Sequence, residues 1–355
     1  LVIPPLIEYL ESLFTGTGHD LELQTFKLTD QLTGRMMGLR ADMTPQAARI
    51  DAHTLRQSGV TRLCYAGHVL HTRPKHMLAG RTPIQAGCEL FGSASEAADR
   101  EVLSLMLETL RVAGVPRIHL DLAHVGIYQA LIREADFSRA TEAAVFDAMR
   151  RKSVPELNEL LADYEPGSAA SRLRVLARTS GGMESLGEAR VALEGGSPEV
   201  AEALNQLERM ADMLANDFPE VSIGFDFCEL RGFNYHTGLV FAAYARDQGE
   251  AVAQGGRYDA IGEDFGRARP ATGFSVDIRA LVTLAESPRG QRAGAIWAPS
   301  QAQADAALAS VVTGLRMTET VIQALPGDST TDPIARGCDR QLVKQDGQWV
   351  VQPLH

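Results

Sequence analysis

No apolar run in this chain of 355 residues approaches the roughly 20 residues a helix needs to cross a bilayer, and no leader pattern of charged, apolar and small residues is visible. Cysteine is sparse. Cys64, Cys88, Cys228 and Cys338 are scattered with no CxxC pair and no metal-ligand spacing, so a reducing compartment and ordinary buried thiols are expected. His19, His53, His68 and His76 also lack ligand-like spacing, and no metal site is expected. Positive charge is in deficit: 34 Lys and Arg against 45 Asp and Glu leave a net charge of -11. That balance disfavours a large nonspecific nucleic-acid surface while leaving room for a local basic groove. There is no internal repeat and no low-complexity tract. The chain opens on Leu1 rather than Met, inside an apolar run that reads as a strand, so an N-terminal piece and any targeting information are expected to be missing from this numbering.

What is present is a globular composition, 45% hydrophobic and 22% charged, long enough for two or three domains. Residues 1–132 alternate short apolar runs with turns; Val2-Ile3-Pro4-Pro5, Gly38-Leu39-Arg40 and 62–67 read as strands of a mixed or antiparallel sheet. Thr44-Pro45 reads as a helix start, with Thr44 capping and proline in the first turn. Residues 94–113 form the clearest helix, with Val102, Leu103, Leu105, Met106, Leu107 and Leu110 on its apolar face and Gly114 as its stop. Residues 133–213 turn to Ala, Glu, Leu and Arg with helical periodicity, which predicts a helical insertion whose Arg150-Arg151-Lys152 run is a solvated face. Strand patterning returns at 221–228 and continues through 231–245 and 250–254, within 214–286, the rest of a discontinuous core. A polar linker then precedes a small α/β unit at 293–355, with a hairpin predicted through 344–348. The expected fold class is α+β.

A free amino acid needs an acceptor for its ammonium and a cation for its carboxylate. For histidine it also needs polar partners for both ring nitrogens. Asp42, Thr44, Gln85, Glu89, Arg231, Tyr235, His236 and Tyr258 offer these chemistries, the planar fork of Arg231 suiting a carboxylate. Read from spacing alone, the same residues are equally polar positions facing solvent along strands, and the two tyrosines are core aromatics with satisfied hydroxyls.

Four segments resemble the histidyl-tRNA synthetase family in the right order. RGFNYHTG at 231–238 and QGGRYD at 254–259 are similar to its two histidine-recognition signatures, placing Arg231, Tyr235 and Tyr258 at pocket positions, with His236 where the family has a second tyrosine. LRADMTPQ at 39–46 resembles the segment that contacts the histidine amino group, here Asp42 and Thr44. IQAGCELFG at 84–92 resembles the end of class II motif 2, putting Gln85 and Glu89 in the pocket. Arg81 is counted with the histidine-binding candidates, and reads as a phosphate-facing residue left from a synthetase ancestor or as a surface ion-pair partner. The resemblance implies a class II aminoacyl-tRNA synthetase-like core.

Two departures concern ATP. His71 falls where the family's α-phosphate arginine is expected, and Ala280 where the motif 3 arginine is expected, with Arg279 about 100° away around a helix. Losing both cations would impair adenylate formation. The tail, through Trp297-Ala298-Pro299, CDRQLV at 338–343 and GQWVV at 347–351, resembles the family of ATP phosphoribosyltransferase regulatory subunits. That resemblance implies a noncatalytic, cytoplasmic protein of histidine biosynthesis without a cofactor of its own. Its implied partners are a short-form ATP phosphoribosyltransferase catalytic subunit, which it activates, and a second copy of itself, within a hetero-octamer. It further implies L-histidine as feedback effector, with neither tRNA nor membrane as a partner. Two other readings stand beside it: a divergent synthetase-like enzyme that activates histidine with ATP, and a stand-alone histidine-binding protein.

Overall fold

The computed structural model describes all residues except 15–18, 75–79, 231–234, 247, 262–264, 286–293, 301–304, 327–331 and 355, and no side chain at 19–20. Contacts divide the chain into two units, Leu1–Glu286 and Ser287–His355. The first unit opens with β1 (Ile7–Tyr9), α1 (Leu10–Phe14), α2 (His19–Gln24), β2 (Phe26–Thr29) and β3 (Met36–Leu39). These strands form an antiparallel sheet in the order β1-β3-β2. Next come α3 (Thr44–Arg49), a π-helical turn over Ile50–Leu55, β4 (Thr61–His68), β5 (Ile84–Phe91), α4 (Glu96–Val112) and β6 (Ile118–His124).

Helices then dominate: α5 (Val125–Ala135), α6 (Arg139–Arg150), α7 (Val154–Leu160), α8 (Ala169–Leu176), the short β7 (Ser180–Gly181), α9 (Met183–Ala192) and α10 (Pro198–Asp217). The unit closes with β8 (Ser222–Asp226), β9 (Leu239–Ala245), β10 (Ala251–Arg257), β11 (Ala271–Asp277) and α11 (Ile278–Leu284). An eight-stranded mixed sheet runs β4-β5-β11-β10-β9-β6-β8-β7, antiparallel except for the β6/β8 pair. β9 reads LVFAAYA, apolar on both faces, and such a strand belongs where both faces are covered; it lies inside the sheet with all but Tyr244 buried.

α4 buries Ala98, Val102, Leu103, Met106, Leu107 and Leu110 at helical spacing, and Gly114 follows with φ +74°, a conformation that ends a helix at little cost for glycine. Leu105 departs from the expected apolar face and is exposed, because the buried stripe is narrower than the run of apolar letters. The segment 133–213 is helical apart from β7, which adds an edge strand to the large sheet, and α5 and α10 run across its two ends. Its side chains Val145, Leu173 and Leu204 join the same buried cluster as Leu103 of α4 and Leu120 of β6. Within Arg150-Arg151-Lys152 the first two pair with Asp147, whereas Lys152 sits in a left-handed turn and its Nζ lies 2.7 Å from the buried carboxylate of Asp226. The run is therefore a solvated face only in part.

Three further expectations are corrected. Residues 1–5 form no strand, since Pro4 and Pro5 have no N–H to give; Val2 N donates to Cys64 O at 2.8 Å and the first strand begins at Ile7. Thr44 is not the cap of α3: Met43 is, without a side-chain bond, and Thr44 is the first helical residue. Cys64 is exposed and Cys88 half-buried, so only Cys228 and Cys338 are buried thiols.

The second unit comprises β12 (Ala295–Ala298), α12 (Ala306–Leu315), β13 (Val321–Gln323), β14 (Cys338–Gln345) and β15 (Gln348–Pro353). Its sheet runs β13-β12-β14-β15 with β12 parallel to both neighbours. Asp346 and Gly347, at φ 50° and 82°, make the two-residue turn between β14 and β15 that was expected there. Asp305 caps α12 through Ala307 N and Leu308 N, and also accepts from Lys344 Nζ and Trp349 Nε1.

Candidate functional site

One face of the large sheet is built from small residues, and this makes room for a cavity. Direct strand partners share a face, so Glu89 of β5 lies in a row with Gly273 of β11, Gly256 of β10 and Val240 of β9. The next row is Gly87, Ser275, Gln254 and Ala242. Over this floor lies a cavity of about 80 Å³, with Asp42, Thr44, Glu89, Glu229, Tyr235, His236 and Tyr258 among its walls.

Glu89 is the centre of the site. Tyr65 donates its hydroxyl to Oε1 at 2.8 Å, and Tyr258 donates to Oε2 in a short bond. Burial pushes the carboxyl up to about 7, while the bonds from Tyr258, Tyr65 and Thr44 hold it down. Tyr65 and Tyr258 have their own ionisation pushed well up by burial and by the Glu89 charge, so both remain donors at neutral pH. Asp42 is fixed from two sides: its Oδ1 accepts from Gln85 Nε2 at 2.8 Å and from Thr44 N at 3.0 Å. Gln85 in turn accepts from Met43 N at 3.0 Å, which joins the start of α3 to β5.

His236 Nδ1 lies 3.1 Å from the carbonyl of Arg257; because a carbonyl only accepts, Nδ1 carries the proton and Nε2 is left as the acceptor. Burial draws this imidazole down to about 4, with the carbonyl bond opposing, so it is neutral at physiological pH. Tyr235 packs against it with ring centroids 4.4 Å apart and planes tilted by 40°, and Tyr258 stands edge-on to Tyr235 at 6.4 Å. Asp42, Glu89 and Glu229 bring three carboxyl groups to the cavity, and no Lys or Arg lies among the described residues lining it. Such a set favours a ligand that presents an ammonium or N–H donors.

The sequence-predicted residues thus divide. Asp42, Thr44, Glu89, Tyr235, His236 and Tyr258 come together at the cavity. Gln85 stands behind it as the support of Asp42. Arg81 does not line the cavity: its guanidinium lies 4.8 Å over the ring of Phe26 and its Nε donates to the His71 carbonyl. Arg231 lies outside the described residues. His71 is buried, with Nε2 3.0 Å from the carbonyl of Ala41, and Ala280 is half-buried on α11, one residue after the exposed Arg279. The sequence reading missed Tyr65, Glu229, Gln254 and Ser275. Strand alternation in RLCYAG gave the signal for Tyr65, which shares a face with the β5 position opposite it, Gly87, and therefore with Glu89. Glu229, like Asp226 three residues before it in a mostly apolar strand and turn, was a carboxylate that needed a reason to be buried.

A pH test isolates Glu89. Its carboxyl binds a proton more tightly in the fold, at about 7, than the ordinary 4.5, so the native state holds more protons than the unfolded chain between those values. Its contribution to stability is present below about pH 4.5 and is lost as pH rises through about 7. The loss is on the order of 3 kcal/mol. His236 and His124, both drawn down to about 4 by burial, gain stability as pH rises over part of this window, so the natural chain shows the sum of opposing contributions. The difference between the natural chain and Glu89→Gln in urea unfolding should therefore fall as pH rises through about 7; a pH-independent difference would place the titration elsewhere.

Residues 1–281 match the family described as "Histidyl-tRNA synthetase", and residues 293–352 the "ATP phosphoribosyltransferase subunit HisZ C-terminal domain". The chain is 76% identical over 354 residues to the ATP phosphoribosyltransferase regulatory subunit of Marinobacter nauticus, covering 100% of this chain and 89% of the relative. A crystal structure from Bacillus halodurans, described as an ATP phosphoribosyltransferase regulatory subunit/histidyl-tRNA synthetase, is similar at TM-score 0.80 and 26% identity, covering 94% of this chain and 86% of that one. The fold is also that of a chain in the HisG:HisZ complex from Thermotoga maritima, at TM-score 0.59 and 20% identity, over 78% of this chain and 90% of that one. The class II synthetase-like α+β fold expected from the sequence is therefore present.

Proposed function

The chain belongs to the family of ATP phosphoribosyltransferase regulatory subunits, and from that premise we propose that it activates a short-form catalytic subunit and carries the site through which L-histidine restrains it. The family name makes it the regulatory partner in an ATP phosphoribosyltransferase of histidine biosynthesis, the chemistry on ATP and phosphoribosyl pyrophosphate residing in the other subunit. Dimerisation within a hetero-octamer and a cytoplasmic location belong to the proposal; among the described residues no helix is long and apolar enough to cross a membrane. So does the division into a synthetase-like core at 1–132 and 214–286, an insertion at 133–213 and a C-terminal domain at 293–355.

The observation that carries the ligand assignment is the carboxylate cradle. Glu89, held by two tyrosine hydroxyls, and Asp42, held by Gln85 and the Thr44 amide, offer acceptors to an amino-acid ammonium and an imidazole N–H. Neutral His236 adds a further acceptor at Nε2. Arg231 is proposed to meet the ligand carboxylate. His71 is turned onto the Ala41 carbonyl, which supports the loss of the nucleotide clamp and disfavours the synthetase reading.

The deciding measurement is the rate of phosphoribosyl transfer by a short-form catalytic subunit with and without this chain, and with added L-histidine. Activation that histidine then suppresses is the expected result. A coupling of about 1–3 kcal/mol corresponds to roughly 5–150-fold. No activation, or histidine-dependent pyrophosphate exchange by this chain alone, would overturn the proposal.

A further inference from the structure

Cys64 and Cys88 are direct partners across the antiparallel β4/β5 ladder, so their side chains share one face of the sheet, opposite to the face that carries Glu89. The hydrogen-bonding sense of the pair follows from a single contact. In an extended strand the N–H and C=O of one residue point to the same side, and the Cys64 carbonyl accepts from Val2 N on the free edge of β4, away from β5. Cys64 and Cys88 therefore occupy a non-hydrogen-bonded position, where opposed Cα atoms stand about 4.5 Å apart and side chains approach more closely than at the alternate position. Disulfides bridge Cα separations of about 4.4–6.8 Å, so the pair lies at the short end of the permitted range. Cys64 is exposed and open to an oxidant, while Cys88 is half-buried against the main core and kept protonated by burial, its thiol pushed up to about 11.

We propose that Cys64 and Cys88 are a reversible cross-strand disulfide site. The co-reactant is a low-molecular-weight disulfide such as oxidised glutathione. The Cys64 thiolate attacks one sulfur of it, releasing one glutathione thiolate and leaving a mixed disulfide on Cys64. Cys88 then attacks the Cys64 sulfur, and its proton passes to the second glutathione sulfur, which leaves as the thiol. One S–S bond forms as another breaks, and the two electrons lost by the protein thiols are gained by the oxidant. The short separation and exposure of one sulfur make such a bond readily reducible. The link would lie on residues adjacent in sequence to Tyr65 and Glu89, whose mutual bond spans the same two strands.

The test uses the whole folded chain in buffers of stepped oxidised-to-reduced glutathione ratio, followed by acid quench, alkylation, digestion and mass spectrometry. A peptide pair joined through Cys64 and Cys88 should become the major form at high ratio, with intact mass lower by two hydrogens, and should revert fully with a dithiol reductant. Cys64→Ser, at the exposed position, should abolish the link while leaving the unfolding midpoint unchanged. Full alkylation of both thiols at every ratio would overturn the proposal. So would a glutathione adduct on Cys64 that never resolves, or a link between two copies through Cys64.

Discussion

Alanine in place of Gly273 is expected to displace the Glu89 carboxylate, lower stability by about 3 kcal/mol and weaken L-histidine binding by more than tenfold. A methyl at that position would stand 1.6 Å from Glu89 Oε2, 2.6 Å from its Cδ and 2.8 Å from the backbone carbonyl of Cys88. The strand cannot retreat, because β11 is paired on one side with β5 and on the other with β10. Glu89 must therefore swing away. Its bonds from Tyr65 and Tyr258 break, and the buried hydroxyl of Tyr258 is left without its acceptor. Gly187→Ala is the matched control. It lies within α9 with nothing near the added methyl, and the same chemical change there should raise stability by up to about 1 kcal/mol. Calorimetric titration with L-histidine and urea unfolding check both effects. Unaltered stability in Gly273→Ala would remove the steric account of the cradle, whereas altered stability with unaltered histidine affinity would remove the ligand assignment alone.

Asp51→Ala is expected to cost about 3–5 kcal/mol, because it leaves a buried guanidinium unpaired. Arg269 Nη1 lies 2.7 Å from both carboxylate oxygens of Asp51, and Nη2 donates to the Gly59 carbonyl in a short contact. The two residues are 9% and 2% exposed, so water cannot take over from a lost partner. The π-helical turn that ends with Arg56 N bonded to Asp51 O holds Asp51 in this position. The pair sits beside the start of β11, where Gly92 N bonds Pro270 O at 2.7 Å. Replacing both partners, Asp51→Ala with Arg269→Met, should recover a large part of the loss, since no charge is then left behind. Denaturant midpoints of the two single variants and the double variant measure this directly. A cost below about 1 kcal/mol for Asp51→Ala would show that the pair is effectively solvated.

The legible parts of the chain were those in which local pattern and packing agree. α4 could be read from its apolar spacing and Gly114, and the β14/β15 turn from Asp346-Gly347, because these signals act over a few residues. Thr44 misled for the opposite reason. Thr-Pro at a helix start satisfies the local rule for a cap, yet its hydroxyl lies 3.2 Å from Tyr65 OH, a partner 21 residues away that no local rule could supply. Arg81 followed the same course: a cation near pocket residues in sequence stacks on Phe26 and points its Nε at the His71 carbonyl. Cys64 looked like a core thiol within an apolar strand, but strand alternation and the edge position of β4 leave it exposed.

By itself the sequence determined which residue types serve the site, their order along the chain and the family to which it belongs, because short-range chemistry and motif order are written in one dimension. It also supplied the glycines that a crowded sheet face requires. Only the tertiary structure decided which of those residues meet. Strand order places Gly273 beside Glu89 at a sequence separation of 184, and burial, a property of the packed sheet and not of the carboxyl, raises Glu89 toward 7. Tyr65 became part of the cradle and Arg81 did not because register and long-range contacts set those outcomes, and neither is encoded in the spacing of neighbouring residues.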